Sequence, residues 1–386
     1  MEHKEVLELT KRFKKDNATF TRICGCYVDC NKNKIVTYGS KFLTLDDEEF
    51  YKYLEIAKKS LSGKIGNNLL ELSFPEDEER IGNRQHMLMA LRDCDLEDKN
   101  LVDRYFDHII DTYDNTGNYL ILLYADTYDV VKKTNDNMKI DESEEVYKYI
   151  ICSICPVTLS KPGLGYREED NSIGARDRDW VVGMPESAFL FPAFTDRSSD
   201  IHSVLVYTKD VKEPHEEFMT DTLGCKAIHT STQKQLAFTN MVVNANDDVE
   251  SNVSLDVNIE LSQKIEEHMN NNEDVPVVDK SFIVDTLKDS NIPAHKAEKI
   301  AANYVEAFDE EVVVASELVD SKVLKSSEVL IANKELSEEN KALKEQLSSD
   351  SDKKLSVTEI AEIYTEKYDV KNSNVNDFID WLKSYV

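Results

Sequence analysis

The sequence predicts an α+β fold: a mainly antiparallel sheet with flanking helices, followed by a mostly helical, acidic C-terminal region. Three observations carry this. Apolar runs of strand length come in groups, without the strict strand–helix alternation of a doubly wound fold. Amphipathic helical spacing recurs in separate helices between 46 and 113 and returns beyond 258. Around residues 240–258 the composition changes to Asn, Asp, Ser and Val, which marks a boundary. At 386 residues the chain is too long for one core, and domains of roughly 100–200 residues suggest two or three units. The expected division is an α+β body over 1–240, a mostly helical region with short strands over 241–335, and an acidic helical tail over 336–386.

The elements follow in order. Residues 4–16 read as a short helix, and 20–30 and 35–43 as the two strands of a hairpin about the turn 31–34. Asp46 or Asp47 can cap a helix carrying Phe50, Leu54, Ala57 and Leu61, with Gly63 at its end. Two more amphipathic helices span 76–93 and 97–113, the second with Leu101, Tyr105, Ile109 and Tyr113 on one stripe. Residues 119–124 form an apolar run of buried-strand length, and 145–157 a longer one. After a polar loop over 161–178 come strands at 179–182, 187–194 and 200–208, the last two joined by the hairpin connection 195–199. Helices are expected at 259–270, 280–289 and 294–309, short strands at 312–314, 322–324 and 329–331, and a helix at 334–347 before a Ser/Asp linker and a small helical tail.

Composition excludes several classes. With 41% hydrophobic residues, 14 Phe and 17 Tyr, the chain is too apolar for an acidic disordered protein. A formal charge of −29 opposes phosphate backbones and anionic membranes, so nucleic-acid binding is not expected. The one dense basic cluster, Lys11, Arg12, Lys14 and Lys15, reads as a solvated helix face. No signal core and no run of about 18 apolar residues is present, and seven scattered cysteines fit a reducing cytoplasm.

The charge is uneven. Residues 241–386 hold 32 Asp and Glu against 15 Lys and no Arg. All ten arginines precede residue 200, and Arg167, Arg176, Arg178 and Arg197 fall within 31 positions. Strand alternation places Asp200 and His202 on one face, about 7 Å apart. With Asp177 or Asp179 they could hold a divalent metal, while Arg176, Arg178 or Arg197 neutralise developing anionic charge. The competing structural reading is a set of Arg–carboxylate ties and Asx turns that fix a loop. Cys24, Cys26, Cys152 and Cys155 have the residue types of a four-cysteine zinc site. However, Cys152 and Cys155 face opposite sides of their strand, which favours small core residues. Residues 62–66 lack phosphate-loop spacing, 170–174 lack the calcium-loop pattern, and His108 reads as a surface residue.

Longer strings carry a resemblance: Phe20-Thr-Arg-Ile-Cys-Gly-Cys-Tyr-Val, Leu61-Ser-Gly-Lys-Ile-Gly-Asn-Asn-Leu-Leu-Glu-Leu, Leu159-Ser-Lys-Pro-Gly-Leu-Gly-Tyr-Arg, Ile173-Gly-Ala-Arg-Asp-Arg-Asp-Trp-Val-Val-Gly and Phe189-Leu-Phe-Pro-Ala-Phe. Over about residues 1–335 the chain resembles a bacterial family catalogued as domain of unknown function 4317, and nothing past Glu335 carries the likeness. The resemblance implies a bacterial cytoplasmic protein and supplies no activity, cofactor or catalytic residue. The residues point first to a non-catalytic binding or assembly protein that docks a partner protein or a second copy, with no cofactor. The alternative is a metal-assisted hydrolase or nucleotide-handling enzyme using the 165–202 cluster.

Overall fold

In a computed structural model of the chain, the described residues are 1–14, 17–75, 83–131, 144–169, 171–245, 253–270, 275–308 and 311–319. They divide into two compact units, one within Met1–Met241 and Asn303–Leu318, the other within Val242–Ala302 and Val319.

The first unit is α+β, built on an eight-stranded antiparallel sheet. Its strands are β1 (Arg22–Val28), β2 (Lys34–Lys41), β3 (Leu69–Ser73), β4 (Asn118–Val131), β5 (Glu144–Leu159), β8 (Trp180–Val182), β9 (Ser187–Phe191) and β12 (Ser203–Thr208). The order is β2-β1-β4-β5-β9-β12-β3, with β8 added to the free end of β5. Helices cover both faces. α1 (His3–Arg12) and α2 (Asp47–Lys59) pack on one side; α3 (Arg84–Asp93) and α4 (Lys99–Thr112) pack on the other. Alternation along β4 then divides its side chains: Tyr119, Ile121 and Leu123 enter the α3–α4 core, while Leu120, Leu122 and Tyr124 enter the α1–α2 core. A strand buried on both faces reads as a continuous apolar run, which is why 119–124 and 187–191 are so recognisable. Caps start two helices: the Asp98 carboxylate accepts from the amides of Asn100 and Leu101, and Asn83 accepts from that of His86.

Several expectations are corrected. β3 pairs with β12, although the sequence reading places no element at 69–73. α2 ends at Lys59, before Gly63, whose φ of 119° turns the chain toward β3. α3 begins at Arg84, and the expected start at 76 lies outside the described residues. The expected loop 161–178 contains β6 (Leu164–Arg167) and β7 (Ser172–Ala175). The connection 195–199 is itself a tight hairpin, β10 (Ala193–Thr195) to β11 (Ser198–Asp200), with Asp196 and Arg197 both at positive φ. α5 (Ser231–Ala245) occupies a stretch to which the sequence reading gives no element. At 312–314 there is no strand, and a 3-10 turn, Ala315–Glu317, follows. Arg12 is not a solvated charge. It faces Asp126, donates to the Thr127 carbonyl and lies 3.9 Å from the Tyr128 ring centroid. His108 is half-buried, bonded through Nε2 to the Thr222 carbonyl.

The second unit contains α6 (Val253–Asn270), α7 (Lys280–Asp289) and most of α8 (Ala294–Ala307). Asp279 caps α7 by accepting from Phe282, and Lys264 meets Asp289 at 2.7 Å. The expected strands at 322–324 and 329–331, the helix at 334–347 and the tail lie outside the described residues. No described helix is long and apolar enough to cross a membrane.

Candidate functional site

β5 outruns the sheet. β4 reaches only to Val157 and β9 only to Ile154, so among the described residues β8 is its one neighbour beyond Val157. The register then continues without insertion. Leu159 opposes Trp180, the Ser160 amide donates to the Asp179 carbonyl, that of Arg176 to the Gly163 carbonyl, and Leu164 opposes Ala175. β5–β8 and β6–β7 therefore line up as one hairpin arm, residues 158–167 going out and 172–181 returning over roughly 30 Å, two short ribbons linked through 160–163 and 176–179 by those two backbone hydrogen bonds rather than by strand.

The arm is bare. Leu164 is 78% exposed, Ile173 68%, Tyr166 58% and Trp180 56%. Of the 18 exposed large apolar side chains among the described residues, eight lie between Leu159 and Met184. Tyr166 and Ile173 oppose each other on one face with Leu164 beside them. Gly165 and Gly174 oppose each other on the other face, where the Arg167 guanidinium lies over Gly174 and donates to the Ala175 carbonyl at 3.0 Å. An open groove of about 390 Å³ runs between the strands' side chains, lined by Ser160, Tyr166, Arg167, Asp177, Asp179 and Val181 among others.

The predicted residues separate into two groups. Arg176, Asp177, Arg178 and Asp179 stand in a row on the returning side of the arm, in the link between β7 and β8, all exposed. Arg178 donates from Nε to the Ser160 carbonyl at 2.6 Å; among the described residues none of the four forms an ion pair. Arg197, Asp200 and His202 lie elsewhere. β9 carries the chain back along β5, so that the Pro192 carbonyl accepts from Tyr147 at 2.6 Å and the Phe194 ring packs on Tyr147, 4.6 Å between centroids. Along β5 the step from Ser160 to Tyr147 is on the order of 40 Å. There Arg197 pairs with Glu8 at 2.9 Å and its amide donates to Glu5, while Asp200 accepts from the His202 amide at 3.0 Å. The structure does not bring Asp177 or Asp179 together with Asp200 and His202. Among the described residues no three His, Cys, Asp or Glu side chains are grouped as metal ligands.

The cysteines are core residues. Cys24, Cys26 and Cys152 enter the α3–α4 core and Cys155 the α1–α2 core. Burial pushes the Cys24 thiol up to about 11 and the Cys26 and Cys155 thiols up to about 12. All seven are free.

Two polar networks escaped the sequence reading. Asp126 is buried, accepts from Thr19 and Tyr149 and faces Arg12; burial raises its carboxyl above the usual range against the pull of these partners. Lys234, 6% exposed, sits between Glu311 at 3.3 Å and Glu317 at 3.2 Å; His229 bonds Glu311 at 2.6 Å and Ser231 donates to Glu317 at 3.0 Å. These groups tie 311–317 to the start of α5. In both networks each charge is already met by a partner, whereas among the described residues the charges of the arm are not.

No curated protein and no solved structure matches the chain. The family model described as domain of unknown function (DUF4317) matches residues 1–365, further than the resemblance read to Glu335, and the chain belongs to that family.

Proposed function

We propose that this protein works in the cytoplasm as a non-catalytic binding or assembly protein, and that its working surface is the arm. The observation that supports this is the arm's bareness: a two-stranded ribbon is marginal in water by itself, and this one exposes a run of large apolar side chains. Open strand edges recruit extended chains, which supply both hydrogen bonds and side-chain contacts. A charge of −29 disfavours the other surface such side chains suit, an anionic membrane. The hydrolase reading would need Asp177 or Asp179 beside Asp200 and His202, and these lie at opposite ends of β5. Seven free thiols favour a reducing compartment.

The test places a photo-reactive side chain on the arm. Full-length protein carrying Tyr166→p-benzoylphenylalanine is irradiated in its own cytoplasm and after purification, with the same group at Leu43, also exposed but outside the arm, as the control. The expected product joins position 166 to a defined stretch of a polypeptide, mapped by mass spectrometry. If position 166 yields no polypeptide adduct beyond the Leu43 control, the binding reading falls.

A further inference from the structure

Which polypeptide the arm receives is a separate question, and the answer rests on the binding reading above. We infer that the arm docks on the arm of a second copy, residues 173–182 pairing antiparallel with the same residues across a twofold axis between Asp177 and Arg178.

Charge favours this pairing. In that register Arg176 opposes the partner's Asp179 and Asp177 opposes the partner's Arg178, and the twofold repeats both pairs. Opposite charges directly across antiparallel strands attract. Among the described residues these four side chains have no ion pair within their own chain, in contrast to Arg12, Arg22, Arg92 and Arg197, each of which faces a carboxylate. A slip of one residue in either direction sets Arg against Arg and Asp against Asp, so the alternation fixes the register as well as permitting it. The segment has no net charge, which makes it a place where two molecules of charge −29 can approach with least repulsion.

Shape agrees with charge. Continuing outward, Ala175 opposes the partner's Trp180, Gly174 the partner's Val181 and Ile173 the partner's Val182. Small residues face large ones, and apolar faces apolar. Trp180, Val181 and Val182 are 56%, 49% and 41% exposed, and among the described residues β8 pairs with no strand but β5.

The backbone groups point the right way as well. In the lower arm the Asp179 carbonyl accepts from Ser160 and the Gly183 amide donates to the Pro156 carbonyl, so residues 179 and 181 point inward and 180 and 182 outward. In the upper arm the Arg176 amide donates to the Gly163 carbonyl, so 176 and 174 point inward and 175 and 173 outward. The phase changes beside Pro162, which has no amide to carry the ladder through. A twofold between residues 177 and 178 needs that change: it brings outward 173 and 175 against outward 182 and 180. The result is a four-stranded sheet made from two arms.

The experiment is sedimentation of the full-length chain over a concentration series, with two double variants. R176D/R178D gives four acids in a row, and D177R/D179R four bases. All four positions are exposed, so both variants keep the fold, which circular dichroism checks. Wild type should dimerise, and each variant alone should dissociate at least about tenfold more readily, since like charges replace complementary ones. A 1:1 mixture of the two variants should dimerise again, acid row on basic row. A wild type that stays monomeric at every concentration overturns the inference. So does a dimer indifferent to both variants, or a mixture that does not reassociate. Should the adduct at position 166 map to a different protein, the binding reading stands and the second copy is excluded.

Discussion

β5 passes through two environments. From Tyr147 to Val157 it lies inside the sheet with helices over both faces, and Tyr147 and Ile154 are 0% and 1% exposed. From Thr158 outward β8 is its one neighbour among the described residues, and across the hairpin Ile173 is 68% exposed. Particular charges differ as well. In the body, Lys234 lies between two carboxylates and Arg12 faces Asp126; on the arm, two arginines and two aspartates stand without ion-pair partners among the described residues. If the arm is the binding surface proposed above, stability and recognition fall to different parts of one sheet, and substitutions in one should not register in the other.

The sharpest test of that division uses matched pairs, followed by denaturant unfolding. Lys234→Met removes the cation that the Glu311 and Glu317 carboxylates share and should cost about 3–5 kcal/mol, the usual penalty for breaking a buried pair. Its counterpart on the arm, Arg176→Met, should stay within about 0.5 kcal/mol. Next in size, Ile154→Ala leaves a cavity between sheet and helices and should cost about 2–5 kcal/mol, whereas Ile173→Ala should again fall within about 0.5 kcal/mol. If the two isoleucines cost the same in the monomer, the arm is part of the cooperative core and the division fails.

Most of the body was legible in the sequence, because β4, β5 and β9 are buried on both faces and α2 to α4 are amphipathic, although β3 and α5 were missed. The arm was not. Between Ser160 and Asp179 the chain contains Pro162, three glycines and a row of charges, which read as loop; its strand character comes from pairing across the hairpin, with Tyr166 against Ile173. The clue was present in the short alternation Leu164-Gly-Tyr166 and Ile173-Gly-Ala175. α5 announced itself too. Thr230 and Gln233 form a reciprocal cap, each bonding the other's amide, and Thr-x-x-Gln is the pattern for it. The 165–202 cluster was visible as a concentration of Arg and Asp but not as two places, since neighbours in sequence were separated by the return run of β9 along β5. No local signal encodes that journey.

The smallest expected effect concerns pH, and it falls on the body alone. Burial would raise the Glu311 carboxyl, but the hydrogen bonds from His229 and the charge of Lys234 outweigh it and hold the group below its ordinary 4.5. A carboxyl lowered on folding contributes stability that is fully present above 4.5 and is lost as the pH falls through the folded-state value. Wild type should therefore lose this contribution only below pH 4.5, and Glu311→Gln should show a shallower decline there while being less stable near neutrality. Urea midpoints measured at about pH 6.5, above the unfolded value, and again below pH 4.5 check the sign. Unchanged slopes would mean that Lys234 and His229 do not hold Glu311 ionised, and that the segment 311–317 is kept in place by its buried apolar residues, Val313 and Ala315, instead.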